Sequence, residues 1–183
     1  MIRQSAFGIA LSMLVLASGF TTTHAPGHTS TKKRLGHQSL SMSSDGSASY
    51  FIFNTAELEK SVFDQINRYR LSLGLPKLTL SEKITKQARI HSQNMANGKV
   101  PFSHQGFEQR VNAIPLAYSS AAENVAFNQG YSDPAAEAIH GWLRSREHLN
   151  NIKGDYNLTG IGVAVNAKGE VYLTQIFLKS DKR

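Results

Sequence analysis

The pattern that most limits the fold lies near the C-terminal end. Residues 159–166 alternate Ile161, Val163 and Val165 with Gly160, Gly162 and Ala164; residues 170–178 are rich in Val, Tyr, Leu, Thr, Ile and Phe; Ala167, Lys168 and Gly169 lie between. Period-two alternation around a short Gly-containing turn predicts an antiparallel hairpin. Both strands carry an apolar face, so other elements have to cover them.

Helical periodicity upstream supplies that cover. Asn54 or Thr55 can cap a helix reaching about Leu73, with Leu58, Val62, Ile66, Tyr69 and Leu73 on one stripe and Gly74 and Pro76 ending it. A second helix starts at Ser81, carries Ile84, Ala88, His91 and Met95 on its stripe, and closes at Gly98. Residues 107–114 have helical potential that Pro115 stops, and residues 123–127 read as a further helical turn. A later helix spans about 134–146, capped by Ser132 or Asp133, with Ala135, Ala138, Ile139, Trp142 and Leu143 on one face. Residues 77–80 are a candidate third strand. Helices first and strands last predict an α+β layered domain.

The N-terminal part has another character. Residues 1–25 begin with Arg3, continue as an apolar run from about Ala6 to Ala17 and exit through small residues, which reads as a secretory signal peptide. The apolar run is too short to cross a bilayer comfortably, so no transmembrane segment is expected after its removal, an uncleaved N-terminal anchor being the alternative reading. Residues 26–52 are rich in Ser, Thr, His and Gly without apolar periodicity, which predicts a flexible polar linker. The folded domain is then 53–179, and residues 180–183 form a basic tail. Export to the periplasm, cell surface or medium is the expected localisation.

Charge excludes one class of partner. The formal net charge is +7, but residues 53–178 hold 13 Lys and Arg against 11 Asp and Glu, a net +2. The excess sits in the flanks, and no basic face with interleaved aromatics is evident, so specific nucleic-acid binding is not expected. Basic flanks suit loose attraction to an acidic cell-envelope polymer. Cysteine is absent, which removes disulfides, thiolate metal sites and a cysteine nucleophile. Histidine, carboxylate and hydroxyl must carry any chemistry.

His148 stands where a helix gives out before the glycine-bearing strand, a position from which its ring can face a cleft. His91 falls on an apolar stripe and is expected to be a hydrogen-bonded core residue; His140 is expected to face solvent. Ser145 lies three residues before His148, so a continuous helix would put the two on one face, with Glu123 free to orient the imidazole as in a metal-free hydrolase. No Gly-x-Ser-x-Gly elbow or oxyanion loop accompanies it. Glu147 adjoins His148, either as its partner or as a solvated charge.

An ordered set of short motifs ties these residues together. Asn67-Arg68-Tyr69-Arg70, Gly74-Leu75-Pro76-Lys77-Leu78, Ala88-Arg89-Ile90-His91-Ser92 with Met95, and Phe102-Ser103-His104 come first. Glu123-Asn124-Val125-Ala126, Trp142-Leu143-Arg144-Ser145 with His148, Gly160-Ile161-Gly162-Val163-Ala164 and Thr174-Gln175-Ile176-Phe177 follow. Together they resemble the CAP superfamily, shared by cysteine-rich secretory proteins, antigen 5 and pathogenesis-related 1 proteins, in its bacterial SCP-like form. The resemblance implies a three-layer α-β-α sandwich with a small antiparallel sheet, secretion, and a cleft that holds a divalent cation in some members. Carried over, the cleft residues are His104, Glu123 and His148. Ala122 replaces the usual glycine before the glutamate, and Ser145 stands where eukaryotic members often have a second glutamate.

Two imidazoles and a carboxylate are a reasonable ligand set for Zn²⁺ with a position left open. The expectation is an exported, monomeric, non-catalytic protein that binds a divalent cation or small ligand, with Ser145 and Glu147 as further candidate contacts. A metal-assisted hydrolase using the same trio and a lipid or sterol carrier stay open, as does a purely structural hydrogen-bond network pinning three segments together.

Overall fold

The computed structural model describes residues 53–180. The expected signal peptide at 1–25, the linker at 26–52 and the last three residues of the basic tail lie outside the described residues.

The order of elements is α1 (Thr55–Ser72), β1 (Thr79–Leu80), α2 (Glu82–Ala96), α3 (Phe107–Asn112), β2 (Ser120–Gln129), α4 (Pro134–Arg144), α5 (Arg146–Lys153), β3 (Leu158–Val165) and β4 (Glu170–Lys179). The sheet runs β1-β3-β4-β2. The hairpin forms as expected, with Ile161 opposite Gln175 and Val163 opposite Leu173, and β2 joins the other side of β4 antiparallel. The third strand is shorter than expected and pairs in parallel with β3 through Thr79 and Leu80.

The two sheet faces divide the core. Val62 and Ile66 of α1, Ala135, Ala138, Ile139 and Trp142 of α4, and Ile152 of α5 pack on Ile161, Val163, Leu173 and Phe177. On the other face, Ile84 and Ala88 of α2 with Val111 and Ile114 pack on Ile176 and Leu178. Each such side chain contributes roughly 1.5–3 kcal/mol when removed from water. This is the α-β-α sandwich.

Close approach of α2 to β3 explains the alternating glycines. A Cβ on Gly160 would fall 2.2 Å from the Thr85 backbone nitrogen, and one on Gly162 2.1 Å from that of Arg89. Ser92 reaches the seam from α2, donating to the Gly162 carbonyl at 2.8 Å. Small residues here serve backbone contact, which is why alternation alone leaves one strand face looking unoccupied.

Helix ends follow their chemistry. Asn54 accepts from the amides of Ala56 and Glu57, and Asp133 from that of Ala136, each closing donors the helix leaves open. Gly74 and Gly98 take positive φ just beyond the ends of α1 and α2. Two expectations need correction. Residues 123–127 lie in strand β2, because Glu123 and Asn124 are both buried by polar partners on opposite faces and so hide the apolar alternation of a strand. The helix expected to span 134–146 stops at Arg144; Ser145 is extended, with φ −93° and ψ 120°, and α5 starts beyond it in a new direction.

Candidate functional site

Three separate segments bring His104, Glu123 and His148 together. His104 lies in the loop between α2 and α3, Glu123 on β2, and His148 in the first turn of α5. The imidazole centroids of His104 and His148 are 6.5 Å apart with planes inclined at 38°. His104 Nδ1 lies 3.0 Å from Glu123 Oε1. All three residues are buried, at 8 %, 4 % and 4 % exposure.

Arg110 of α3 completes the cluster. Its Nε donates to Glu123 Oε2 at 3.0 Å and an Nη to Oε1 at 2.7 Å, the bidentate geometry that suits guanidinium and carboxylate. The same guanidinium donates to the carbonyls of Gln105 and His104, so it also pins the loop that carries the first histidine. The pair cancels its own charge.

Hydrogen bonding settles one tautomer. A carboxylate bound to a guanidinium only accepts, so His104 Nδ1 carries a proton, and in the neutral ring Nε2 is the nitrogen with the lone pair. That Nε2 is buried with no hydrogen-bond partner, and so are both ring nitrogens of His148. Burial, then the neighbouring His104 ring, push the His148 imidazolium down to about 4, with Glu147 opposing from the surface. At neutral pH His148 is uncharged and offers a lone pair too.

The supporting contacts fix where His148 can be. Asn124 donates to the His148 carbonyl at 3.2 Å; Asn151, one turn along α5, donates to the Glu123 carbonyl at 3.2 Å and to Asn124 Oδ1 at 2.9 Å. Trp142 Nε1 donates to the Val125 carbonyl at 3.0 Å, fastening α4 to the same strand. On the far side, Arg70, 1 % exposed, donates to the carbonyls of Ile152 and Gly154 at the end of α5. His91 is the buried core histidine that its stripe predicts, bonded through Nε2 to the Ser103 carbonyl at 2.9 Å, directly behind His104.

Not every expected pairing forms. His148 has no bonded partner at either ring nitrogen, so the Ser145 hydroxyl does not activate through it, and the helix break at Ser145 removes the continuous face that the pairing assumed. Glu123 orients His104 rather than His148. Glu147 is exposed. Arg110 and Asn151 were missed; asking what neutralises a carboxylate buried to 4 % would have directed attention to a nearby arginine.

A cation fits the donor set in part. Among the described residues no three His, Cys, Asp or Glu side chains are grouped to hold a metal ion. For the two imidazoles, rings sharing one tetrahedral Zn²⁺ at about 2.1 Å from each nitrogen have centroids about 5 Å apart, against the 6.5 Å found. Sharing one ion therefore requires the rings to draw closer by more than 1 Å; what the pair offers as it stands is unsatisfied nitrogens on both sides.

A three-layer sandwich with this histidine pair at the edge of its sheet defines a class. Residues 63–177 match the CAP, or cysteine-rich secretory protein, family, and the chain belongs to it. It is 29 % identical over 171 residues to the uncharacterized protein YkwD of Bacillus subtilis, covering 87 % of this chain and 64 % of that one, so it spans less than two thirds of that relative. Among solved structures, an extracellular SCP-domain protein of Bacillus anthracis is 27 % identical with a TM-score of 0.57 over 69 % of this chain and 41 % of its own. An outer surface protein of Borrelia burgdorferi, 17 % identical, superposes with a TM-score of 0.61 over 70 % and 97 %. The latter likeness is one of fold alone. Among the described residues no helix is long and apolar enough to cross a membrane.

Proposed function

We propose that this is an exported CAP-domain protein that acts by binding, and that its His104–His148 pair takes a divalent cation, Zn²⁺ before others, at the cell envelope or outside the cell. The observation carrying this reading is the set of three buried ring nitrogens without a hydrogen-bond partner. An unsatisfied buried polar atom costs roughly 1–3 kcal/mol, and borderline-soft cations favour imidazole nitrogen. Glu123 serves as the carboxylate behind a ligating histidine, holding the Nδ1–H tautomer so that Nε2 faces the ion. A bound cation would supply Lewis acidity. Catalysis is disfavoured because Glu123, the available general base, is committed to Arg110. Export is supported by the N-terminal pattern and by the extracellular and outer-surface descriptions of two structural neighbours.

The test is calorimetric titration of the chelator-treated full chain with Zn²⁺. One equivalent is expected to bind, and His104→Ala with His148→Ala to abolish it while circular dichroism stays unchanged. Uptake unaffected by the double substitution would remove these residues as ligands.

A further inference from the structure

A row of aromatic rings flanks the histidine pair. Phe127 of β2 stands opposite Tyr172 of β4, with ring centroids 5.1 Å apart, and Phe102 lies 6.3 Å from Phe127. Phe127 is 41 % exposed and the other two are half-buried. Side chains four apart on a strand share a face, so Phe127 lies on the face of β2 that carries Glu123, about 13 Å along it. Phe102 precedes His104 by two residues. Residues 102–104 therefore run beside β2, from the aromatic shelf at one end to the imidazole that Glu123 holds at the other.

The imidazole end suits a hydroxyl. His104 Nε2 and both ring nitrogens of His148 are buried without a hydrogen-bond partner. With its Nδ1–H committed to Glu123, neutral His104 offers one lone pair; neutral His148 offers one N–H and one lone pair. An oxygen about 2.9 Å from one nitrogen of each ring, with both rings aimed at it and its bonds at the tetrahedral angle, spreads the ring centroids to about 6.5 Å. The separation found is 6.5 Å. A hydroxyl in that place donates to His104 Nε2 and accepts from the His148 N–H. Charge favours a neutral carrier for it. Arg110 and Glu123 cancel each other, and Glu147, exposed in the same turn as His148, opposes an acidic ligand.

We propose that the Phe102–Phe127–Tyr172 shelf and the His104–His148 pair are two ends of one surface that binds a neutral oligosaccharide. A sugar hydroxyl bridges the two imidazoles, and a neighbouring pyranose lays its C–H face on Phe127, where weakly positive hydrogens meet the negative face of the ring. The span of about 13 Å is the length of a short oligosaccharide. This goes beyond the cation reading and does not rest on it, since it uses the ring spacing as found; an ion that drew the rings together would displace the hydroxyl.

The full chain is titrated in chelator with cellotriose, maltotriose and tri-N-acetylchitotriose at up to about 20 mM, enough to fill a millimolar site. Nuclear magnetic resonance reads the histidine ring nitrogens and the aromatic rings together. At least one sugar is expected to shift the His104, His148 and Phe127 signals saturably and with one affinity. Phe127→Ala is expected to weaken that affinity about fivefold to tenfold, and Phe127→Tyr to keep it within about twofold. His104→Ala is expected to weaken it about fivefold and to abolish the His148 shift; if that variant does not fold, the wild-type histidine signals and the Phe127 variants decide. No saturable shift with any of the three sugars overturns the proposal. So do histidine signals that stay still while the aromatic ones move, and so does a response to decanoate alone, which would mark an acyl-chain surface. Chelator removes any cation, so failure here leaves the cation reading intact, and failure of Zn²⁺ uptake leaves this one intact.

Discussion

Arg110 and Glu123 form a bidentate ion pair at 2.7 Å with side-chain exposures of 10 % and 1 %, while Lys60 and Asp64 form one at 2.6 Å with exposures of 75 % and 39 %. Equal distance conceals unequal energetics. Water screens the second pair and competes for its partners; it reaches little of the first.

Glu123→Ala leaves the buried Arg110 guanidinium without its counter-charge and His104 Nδ1–H without an acceptor, and is expected to cost about 3–5 kcal/mol. Lys60→Ala is expected to cost less than about 1 kcal/mol. Urea unfolding of both variants measures the contrast, and similar losses would contradict the burial argument.

Glycine substitutions separate packing from propensity. Gly162→Ala drives a methyl into the α2 backbone at Arg89, with no flexible side chain to yield, and is expected to cost at least about 3 kcal/mol. Gly141 lies inside α4 with nothing within 4 Å of an added Cβ, so Gly141→Ala is expected to stabilise by roughly 0.5–1 kcal/mol. Thermal unfolding of the two should move in opposite directions.

Asn151 makes no hydrogen bond to either imidazole, yet it ties α5 to β2 through Glu123 and Asn124. Asn151→Ala is expected to cost about 1 kcal/mol in stability and to weaken Zn²⁺ binding about tenfold, as removal of a supporting contact does elsewhere. Full zinc affinity in the variant would show that this bond does not position His148.

Acid should weaken the metal-free protein in a defined window. His148 falls from an ordinary 6.5 to about 4 in the folded chain, chiefly through burial. Unfolded chains therefore bind the proton first as pH falls below 6.5, stability declines from there to about pH 4, and this contribution levels off below. His91 is lowered in the same direction, also chiefly by burial. The His148 part is on the order of 3 kcal/mol. Chemical denaturation in chelator across pH 7.5 to 4 is the measurement, and His148→Gln should flatten the curve.

Legibility in the sequence followed the kind of interaction at stake. Apolar periodicity placed α1, α2, the hairpin and most of α4, because burial imposes it directly on residue order. Strand β2 escaped notice because Glu123 and Asn124 occupy its buried positions, where partners distant along the chain compensate their polarity. Family likeness named His104, Glu123 and His148, and the fold gathers them. Arg110 was silent for the opposite reason: an arginine in a short amphipathic segment looks solvated until the carboxylate it serves is located. The break at Ser145 had no Gly or Pro to announce it; a serine in extended conformation is enough when the new helix direction seats Ile152 in the core.

Strand β2 ends the sheet, and the carbonyls of Glu123 and Val125 are met there by Asn151 and Trp142 from outside the ladder. Those side chains occupy groups that would otherwise recruit a strand from another molecule. Damage that lifts α5 away therefore has two effects at once: it scatters the two imidazoles and uncovers a template for self-association. In such a protein, loss of cation binding and the onset of aggregation should arrive together.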